Sequence, residues 1–281
     1  MTVKHIRSRD AAFQKFTVLL NNRVKRGKYG EFIAEGVRNI NEAVKNGWRV
    51  VSFIYPNKKK LSGWAASLLD GIETEINYRL ADELMAALSG KTDSSELMAV
   101  IKMKKETAFD FAGLAQDIPN PVFVLFDRPS NKGNLGTTLR SCDAFGASLL
   151  VTTGHSVDIY DPDVIAASAG SFFKQPFIKL NDNAEIDSFV ESLKREYPAL
   201  KIIGTTARGE KNIGEINLLP PVLLLIGNET DGLSRKYIEM SDVLAKIPMS
   251  AGTSASSLNV SCAAAVLFYE TARQRAKTPS S

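Results

Sequence analysis

The apolar run "VFVLF" at residues 122–126 and the stretch "NKGNLGTTLR" at 131–140 decide the fold class between them. A run of β-branched and aromatic residues reads as a buried strand, and the glycine-bearing polar turn after it opens a helix. Such a turn invites a phosphate-loop reading, but its spacing does not support one. Gly133 and Gly136 have no third glycine at the dinucleotide-fingerprint position, and the Walker pattern is absent. What the turn does contain is Asn134, a tight passage at Gly136, and Arg140 further into the helix. An amide and a guanidinium are thereby aimed at the C-terminal edge of a sheet, where open α/β sheets bind ligands. Taken alone, the stretch reads equally well as a helix cap with a surface arginine.

Working outward, the strand-then-helix pattern repeats. "SLLVTT" at 148–153, a helix begun by Asp161 and Pro162, "KIIGTT" at 201–206, "VLLLIG" at 222–227, "VLAKIP" at 243–248 and a long final helix follow in turn. Apolar strands alternating with helices imply a mainly parallel sheet covered on both faces. The first hundred residues predict a separate small α/β unit: a helix near 9–20, a basic hinge "NNRVKRGKYG" at 21–30, and a helix over 35–46 closed by Gly47. A strand at 49–55, a helix near 61–69, a short strand near 72–77, a helix at 81–88 closed by Gly90 and a strand at 97–103 complete it. The expected organisation is a basic domain at 1–104, a linker at 105–119, a second domain at 120–276 and a disordered tail at 277–281.

A chain of 281 residues, 44% of them apolar, can bury a real core. No apolar run is long enough to span a bilayer, and the first residues lack the apolar segment of a secretory signal, so a soluble cytoplasmic protein is expected. Cys142 and Cys262 sit in apolar or small-residue helical patterns and are expected to be reduced core residues. Neither they nor His5 and His155 have metal-ligand spacing, so no metal is expected. Charge is unevenly spread. Residues 1–60 hold 14 Lys or Arg against 4 Asp or Glu, an excess of ten in a chain whose net charge is only +4. Clustered cations displace counterions from phosphate backbones, which points to a polyanion partner; a solvated lysine face is the plainer alternative.

Two further segments reach the same sheet edge. "LLLIGNETDGLS" ends a buried strand at Gly227 and carries Glu229 and Gly232 in its turn, while "KIPMSAGTSASSLNVSCAAA" joins a short strand to a helix through a Gly/Ser loop. Each is also compatible with an ordinary turn or a capped helix. In this order the three segments resemble the SpoU/TrmH class of SPOUT RNA methyltransferases. The first motif, N-x-G-x-x-x-R followed by A-F-G, is matched by Asn134, Gly136, Arg140, Ala144, Phe145 and Gly146. G-x-E-x-x-G-L-S is matched by Gly227, Glu229, Gly232, Leu233 and Ser234, and I-P-M with a later S-L-N-V-S by Ile247, Pro248, Met249 and Ser257 to Ser261. "ASAGSFFKQP" resembles the family's connecting segment. The N-terminal "RVKRGKYGEFIAEGVR" resembles the family's substrate-binding domain. Two departures stand out: "NKG" replaces the common Asp-Pro before the first-motif Asn, adding Lys132, and the loop between "IPM" and "SLN" is longer.

The resemblance implies a deep trefoil knot in the C-terminal domain, S-adenosylmethionine as donor and a ribose 2′-hydroxyl of RNA as acceptor. Ribosomal RNA of the 23S type is favoured because the N-terminal domain resembles those of rRNA-directed members. Transfer RNA, or a non-catalytic RNA-binding protein on the same scaffold, are the alternatives. The donor is expected against Thr205, Thr206, Ala207, Gly227, Asn228, Glu229, Gly232, Ile247, Pro248, Met249 and Leu258. Arg140, Asn134, Glu229, Ser257 and Asn259 are the implied catalytic set. Arg140 stabilises alkoxide charge or grips a phosphate, Asn134 orients the ribose or Arg140, and Glu229 orients Arg140 or helps remove the proton. Arg23, Lys25, Arg26, Lys28, Arg38, Lys132 and Arg140 are expected to meet RNA, and a homodimer is implied.

Overall fold

The computed structural model describes residues 2–90, 95–104 and 118–276. The expected tail and all but the last two residues of the expected linker lie outside these. The chain divides into two compact units, Met1–Lys105 with Asp158–Lys174, and Glu106–Val157 with Gln175–Ser281. The stretch 158–174, expected in the second domain, thus clusters with the first.

The first unit holds a five-stranded sheet built from β1 (Val3–Ile6), β2 (Glu31–Glu35), β3 (Val50–Pro56), β4 (Asn77–Leu80) and β5 (Met98–Lys102). Their order is β1-β4-β3-β5-β2, with β5 antiparallel to both neighbours and the other pairs parallel. Neither β1 nor β2 is anticipated by the sequence reading: β1 is four residues with three exposed, and β2 lies where the periodicity breaks after the basic segment. The strand expected near 72–77 begins only at Asn77, whose buried side chain accepts from the Phe53 N–H at 2.8 Å and so sets the end of the pairing.

The basic segment read as a hinge is a helix, Arg23–Tyr29. The Asn22 side chain caps it by accepting from the Lys25 N–H, and Gly30, at φ 61°, ends it in the left-handed conformation. Arg26 explains why it is ordered. Its side chain is 2% exposed, and every guanidinium nitrogen is engaged. Nε donates to Asp158 at 2.8 Å, Nη1 to the Leu19 and Leu20 carbonyls at 2.9 and 3.0 Å, and Nη2 pairs with Asp158 at 2.7 Å and Asp161 at 3.3 Å. Aromatic packing completes the hold on 158–174. Phe32, Trp48, Tyr160, Phe172 and Phe173 pack ring to ring, and Trp48 Nε1 donates to the Phe173 carbonyl at 2.8 Å.

The second unit is the expected parallel sheet. It comprises β6 (Val122–Phe126), β7 (Leu149–Thr153), β8 (Phe177–Leu180), β9 (Lys201–Thr205), β10 (Lys211–Asn212), β11 (Val222–Ile226) and β12 (Val243–Lys246). Their order is β10-β12-β9-β11-β6-β7-β8, and every pair is parallel. Alternate residues of the central strands, Phe123, Leu125, Leu149, Val151, Leu223 and Leu225, meet Ile186, Phe189, Val190 and Leu193 of the helix Asn183–Glu196. Burying each such side chain is worth about 1.5–3 kcal/mol. On the 132–144 helix, Leu135, Leu139 and Cys142 are buried, and the C-terminal helix Val260–Ala276 packs against it. β8, β10 and the helices 183–196 and 235–240 were not anticipated; β10, with two residues, is below what periodicity detects.

Removing Arg26 leaves two carboxylates and two carbonyls without their partner, so Arg26→Ala is expected to cost about 3–5 kcal/mol. Urea unfolding followed by the fluorescence of Trp48 and Trp64 measures this, and an unchanged midpoint would show that the pair adds no net stability.

Candidate active site

A cleft of about 750 Å³ opens at the C-terminal ends of β9, β11 and β12. Its walls come from 205–208, 226–233, Ile238, Ala245, Ile247, Met249, 257–260, Ala263 and Leu267, with Asn134 on one side. Parallel strands end together, so loops distant in the chain become neighbours there. Gly227 is required by its surroundings, because a Cβ would collide with the backbone of Gly232 and Leu233. Asn228 and Gly232 exchange backbone hydrogen bonds of 2.9 and 3.0 Å, and the Asn228 side chain accepts from the Thr230 and Asp231 N–H groups. This wall is a closed turn.

One carboxylate joins the loops. Glu229 Oε2 accepts from the Ser130 N–H at 2.9 Å and the Ser130 hydroxyl at 2.8 Å, while Oε1 accepts from the Asn131 N–H at 3.1 Å and Asn134 Nδ2 at 3.3 Å. Asn134 Oδ1 in turn accepts from Asn259 Nδ2 at 3.1 Å. Asn259 Oδ1 caps the C-terminal helix by accepting from the Ser261 N–H and hydroxyl and, at 3.4 Å, the Cys262 N–H. The three segments picked out in the sequence are therefore joined side chain to side chain.

This geometry revises several expected roles. Burial acts to raise the Glu229 pKa, but the hydrogen bonds from Ser130, from its own backbone N–H and from Asn131 outweigh it and hold the carboxyl below its ordinary 4.5. A carboxylate so committed is a poor proton acceptor. It shapes the 130–134 turn instead, and no hydrogen bond joins it to Arg140. Asn134 is shared between Glu229 and Asn259, and Asn259 is itself engaged as the cap of the C-terminal helix.

Of the residues expected to hold a donor, Thr205, Thr206, Ala207, Gly227, Asn228, Glu229, Gly232, Ile247, Met249 and Leu258 line the cleft, as do Asn134, Ser257 and Asn259. Pro248 is exposed and is not part of the wall. Arg140 is exposed on the 132–144 helix and does not line the cleft of its own chain. The sequence reading missed Arg208, Asp231, Ile238, Ala263 and Leu267. The first two adjoin matched positions and were within reach; the last three lie on helices whose cleft-facing side is set only by packing. Arg23, Lys25, Lys28, Arg38 and Lys132 are exposed, whereas Arg26 is a buried structural cation and drops out of the polyanion-facing set. Cys142 is buried, and desolvation pushes its thiol pKa up; Cys262, expected in the core, is exposed. Among the described residues no group of three His, Cys, Asp or Glu side chains is arranged to hold a metal ion, and no helix is long and apolar enough to cross a membrane.

Comparison with known proteins adds the following. Residues 121–269 match the SpoU rRNA Methylase family and residues 10–99 the SpoU L30e-like domain. The chain is 38% identical over 273 residues to the 23S rRNA (uridine(2479)-2'-O)-methyltransferase of Streptomyces viridochromogenes, covering 97% of this chain and 93% of that protein. It is 27% identical over 250 residues to the 23S rRNA (guanosine(2553)-2'-O)-methyltransferase RlmP of Bacillus subtilis, covering 89% and 92%. Among solved structures, the SpoU methyltransferase AviRb of Streptomyces viridochromogenes in complex with AdoMet superposes with a TM-score of 0.84 at 36% identity, over 96% of this chain and all of that one.

Glu229→Gln replaces one acceptor oxygen with a donor facing N–H groups and is expected to cost about 1–3 kcal/mol at pH 7 in denaturant unfolding. Because the folded pKa is lowered, the carboxylate's contribution is complete above 4.5 and is lost as pH falls through the lower folded value. The gap between wild type and variant should therefore close on acidification below that range.

Proposed function

The chain belongs to the SpoU rRNA methylase family, and from this premise we propose that it methylates a ribose 2′-hydroxyl of RNA, with 23S-type ribosomal RNA as substrate and S-adenosylmethionine as donor. One observation carries the reading. The three motif loops meet in a single cleft, in a chain that matches a 23S rRNA 2′-O-methyltransferase over nearly its whole length.

The cleft fits such a donor. Its volume lies in the range of small-molecule sites, Ile226, Ile247 and Leu258 offer apolar walls for a flat purine, and the Thr205–Ala207 and Gly227–Gly232 segments present polar backbone to its edge. Glu229 and Asp231 bring negative charge to the wall, against the single positive charge of Arg208, which leaves it net negative and suits a cation. When bound, S-adenosylmethionine supplies an electrophilic methyl group on a sulfonium. The protein's task is then to hold an oxygen in line with it, and positioning of this kind can be worth about 7–11 kcal/mol.

Asn134 and Asn259, held by their mutual hydrogen bond, present fixed amides beside the donor cleft, and Ser257 adds an exposed hydroxyl for the acceptor ribose. Arg140 keeps its charge, because a guanidinium does not deprotonate near neutrality; it stabilises oxygen charge developing at the acceptor or grips the neighbouring phosphate. Since it lies outside its own chain's cleft, Arg140 acts in a homodimer on the cleft of the second copy. Exposed Val266 and Tyr269 on the C-terminal helix supply apolar surface for that association. Arg23, Lys25, Lys28, Arg38 and Lys132 meet the RNA backbone, and the protein works in the cytoplasm.

A deep trefoil knot accompanies the family assignment. Supporting it, residues 216–220 are hydrogen-bonded to the end of the C-terminal helix. Gln274 accepts from the Leu218 N–H and donates to the Ile216 carbonyl, and Arg275 donates to the Leu218 and Pro220 carbonyls.

Arg140→Ala is expected to abolish methylation of 23S rRNA, read by mass-spectrometric mapping of ribose methylation, while S-adenosylmethionine still binds in calorimetry. Normal turnover by this variant overturns the role of Arg140; failure of the wild-type protein to bind the donor overturns the enzyme reading itself.

A further inference from the structure

Beneath the cleft lies a polar group of residues to which no role has been attached. Asp127, at the C-terminal end of β6, is 1% exposed, yet its carboxylate receives four hydrogen bonds. Oδ1 accepts from Arg128 Nε at 2.9 Å and the Thr153 hydroxyl at 3.3 Å; Oδ2 accepts from Arg128 Nη2 at 3.2 Å and the Ser234 N–H at 3.2 Å. Arg128, Thr153 and Ser234 belong to the ends of β6 and β7 and the turn after β11, which are neighbouring strands at the centre of the sheet.

Arg128 is held in a conformation it would not choose. Its φ is 45°, one of two positive values outside glycine among the described residues, and an arginine there costs of order 1 kcal/mol or more. Besides an ion pair of its Nη1 with Asp231 of the cleft wall at 3.9 Å, three contacts hold it. The Arg128 N–H donates to the Thr153 hydroxyl at 3.2 Å, the guanidinium is fixed on Asp127, and the carbonyl accepts from Asn228 Nδ2 at 2.7 Å. Asn228 is the residue that closes the 228–232 turn of the cleft wall. A buried carboxylate thus reaches the donor cleft through the Arg128 backbone, and through Ser234 at the far end of the same turn.

We infer that Asp127, acting through Arg128 and Thr153, is a positioning residue that keeps the 228–232 wall in its donor-binding shape. The charge matters as well as the hydrogen bonds, since it holds the guanidinium while Thr153 and Asn228 hold the Arg128 backbone. Glu229 belongs to this same wall and carries the 130–134 turn, so loosening Asp127 disturbs the donor wall directly and the acceptor side through Glu229. This inference rests on the donor reading given above.

The test measures S-adenosylhomocysteine binding by titration calorimetry in the full chain, alongside KM and kcat on 23S rRNA. Asp127→Asn is expected to weaken S-adenosylhomocysteine roughly tenfold, the scale of one buried donor left unsatisfied. KM for S-adenosylmethionine should rise in parallel. Thr153→Val should weaken binding in the same direction, and Thr153→Ser, which keeps the hydroxyl, should restore it. If Asp127→Asn fails to fold, the Thr153 pair decides. Wild-type affinity in Asp127→Asn, equal binding by Thr153→Val and Thr153→Ser, or a fall in kcat with donor affinity unchanged would each overturn the inference. A wild-type protein that does not bind S-adenosylhomocysteine would instead count against the donor reading.

Discussion

A single carboxylate holds the cleft together. Glu229 takes hydrogen bonds from Ser130, Asn131 and Asn134, between 95 and 99 residues away in the chain, and Asn134 passes the link to Asn259, 125 residues further on. Charge-assisted bonds to backbone N–H groups are stronger than neutral ones, and here they are directed by a side chain that stays ionised at neutral pH. Closing loops of this length costs entropy, and the parallel sheet has already met most of that cost by ending its strands side by side. The carboxylate then needs only to set the last few ångströms. Loops tied in this way hold reacting groups in place, which is the condition for positioning to contribute to rate.

Rigid and strained features are distributed accordingly. β6, β7 and β11 are buried along their whole length, whereas the chain just beyond β6 bends through a left-handed arginine. Strain of this sort persists only where the surroundings over-determine it, and the surroundings here are Asp127, Thr153 and Asn228. Two carboxylates with different roles thus support one cleft. Asp127 is buried and braces one wall from below; Glu229 is half-buried and ties the loops from the side.

In the first unit, charge and availability part company. The N-terminal sixty residues are strongly basic, but the most central cation of the basic helix is spent internally. Arg26 is satisfied by Asp158, Asp161 and two carbonyls, and a guanidinium with five fixed donors suits that job better than a lysine would. The same contacts, with the rings of Phe32, Trp48, Phe172 and Phe173, draw 158–174 into this unit. Counting basic residues therefore measures the sign of the partner surface while overstating its size.

Much of the site was legible because motif residues cluster in short turns. Asn134, Gly227, Glu229, Gly232, Ser257, Leu258 and Asn259 are all at the cleft, and the central strands follow from unbroken apolar runs that only a sheet buried on both faces needs. The strands β1, β2, β8 and β10 and the helix Arg23–Tyr29 were not legible, being short, polar or held by distant partners. Local pattern thus determined the parallel core and the polar turns, and the ordered motifs, through their resemblance to a family, implied the chemistry. Tertiary structure alone decided that Arg26 is buried, that Glu229 ties the 130–134 turn to the cleft wall, that 158–174 packs with the first unit, and that Arg140 lies outside its own cleft. Those outcomes depend on which distant groups satisfy each buried donor and acceptor, and periodicity and spacing report only on neighbours along the chain.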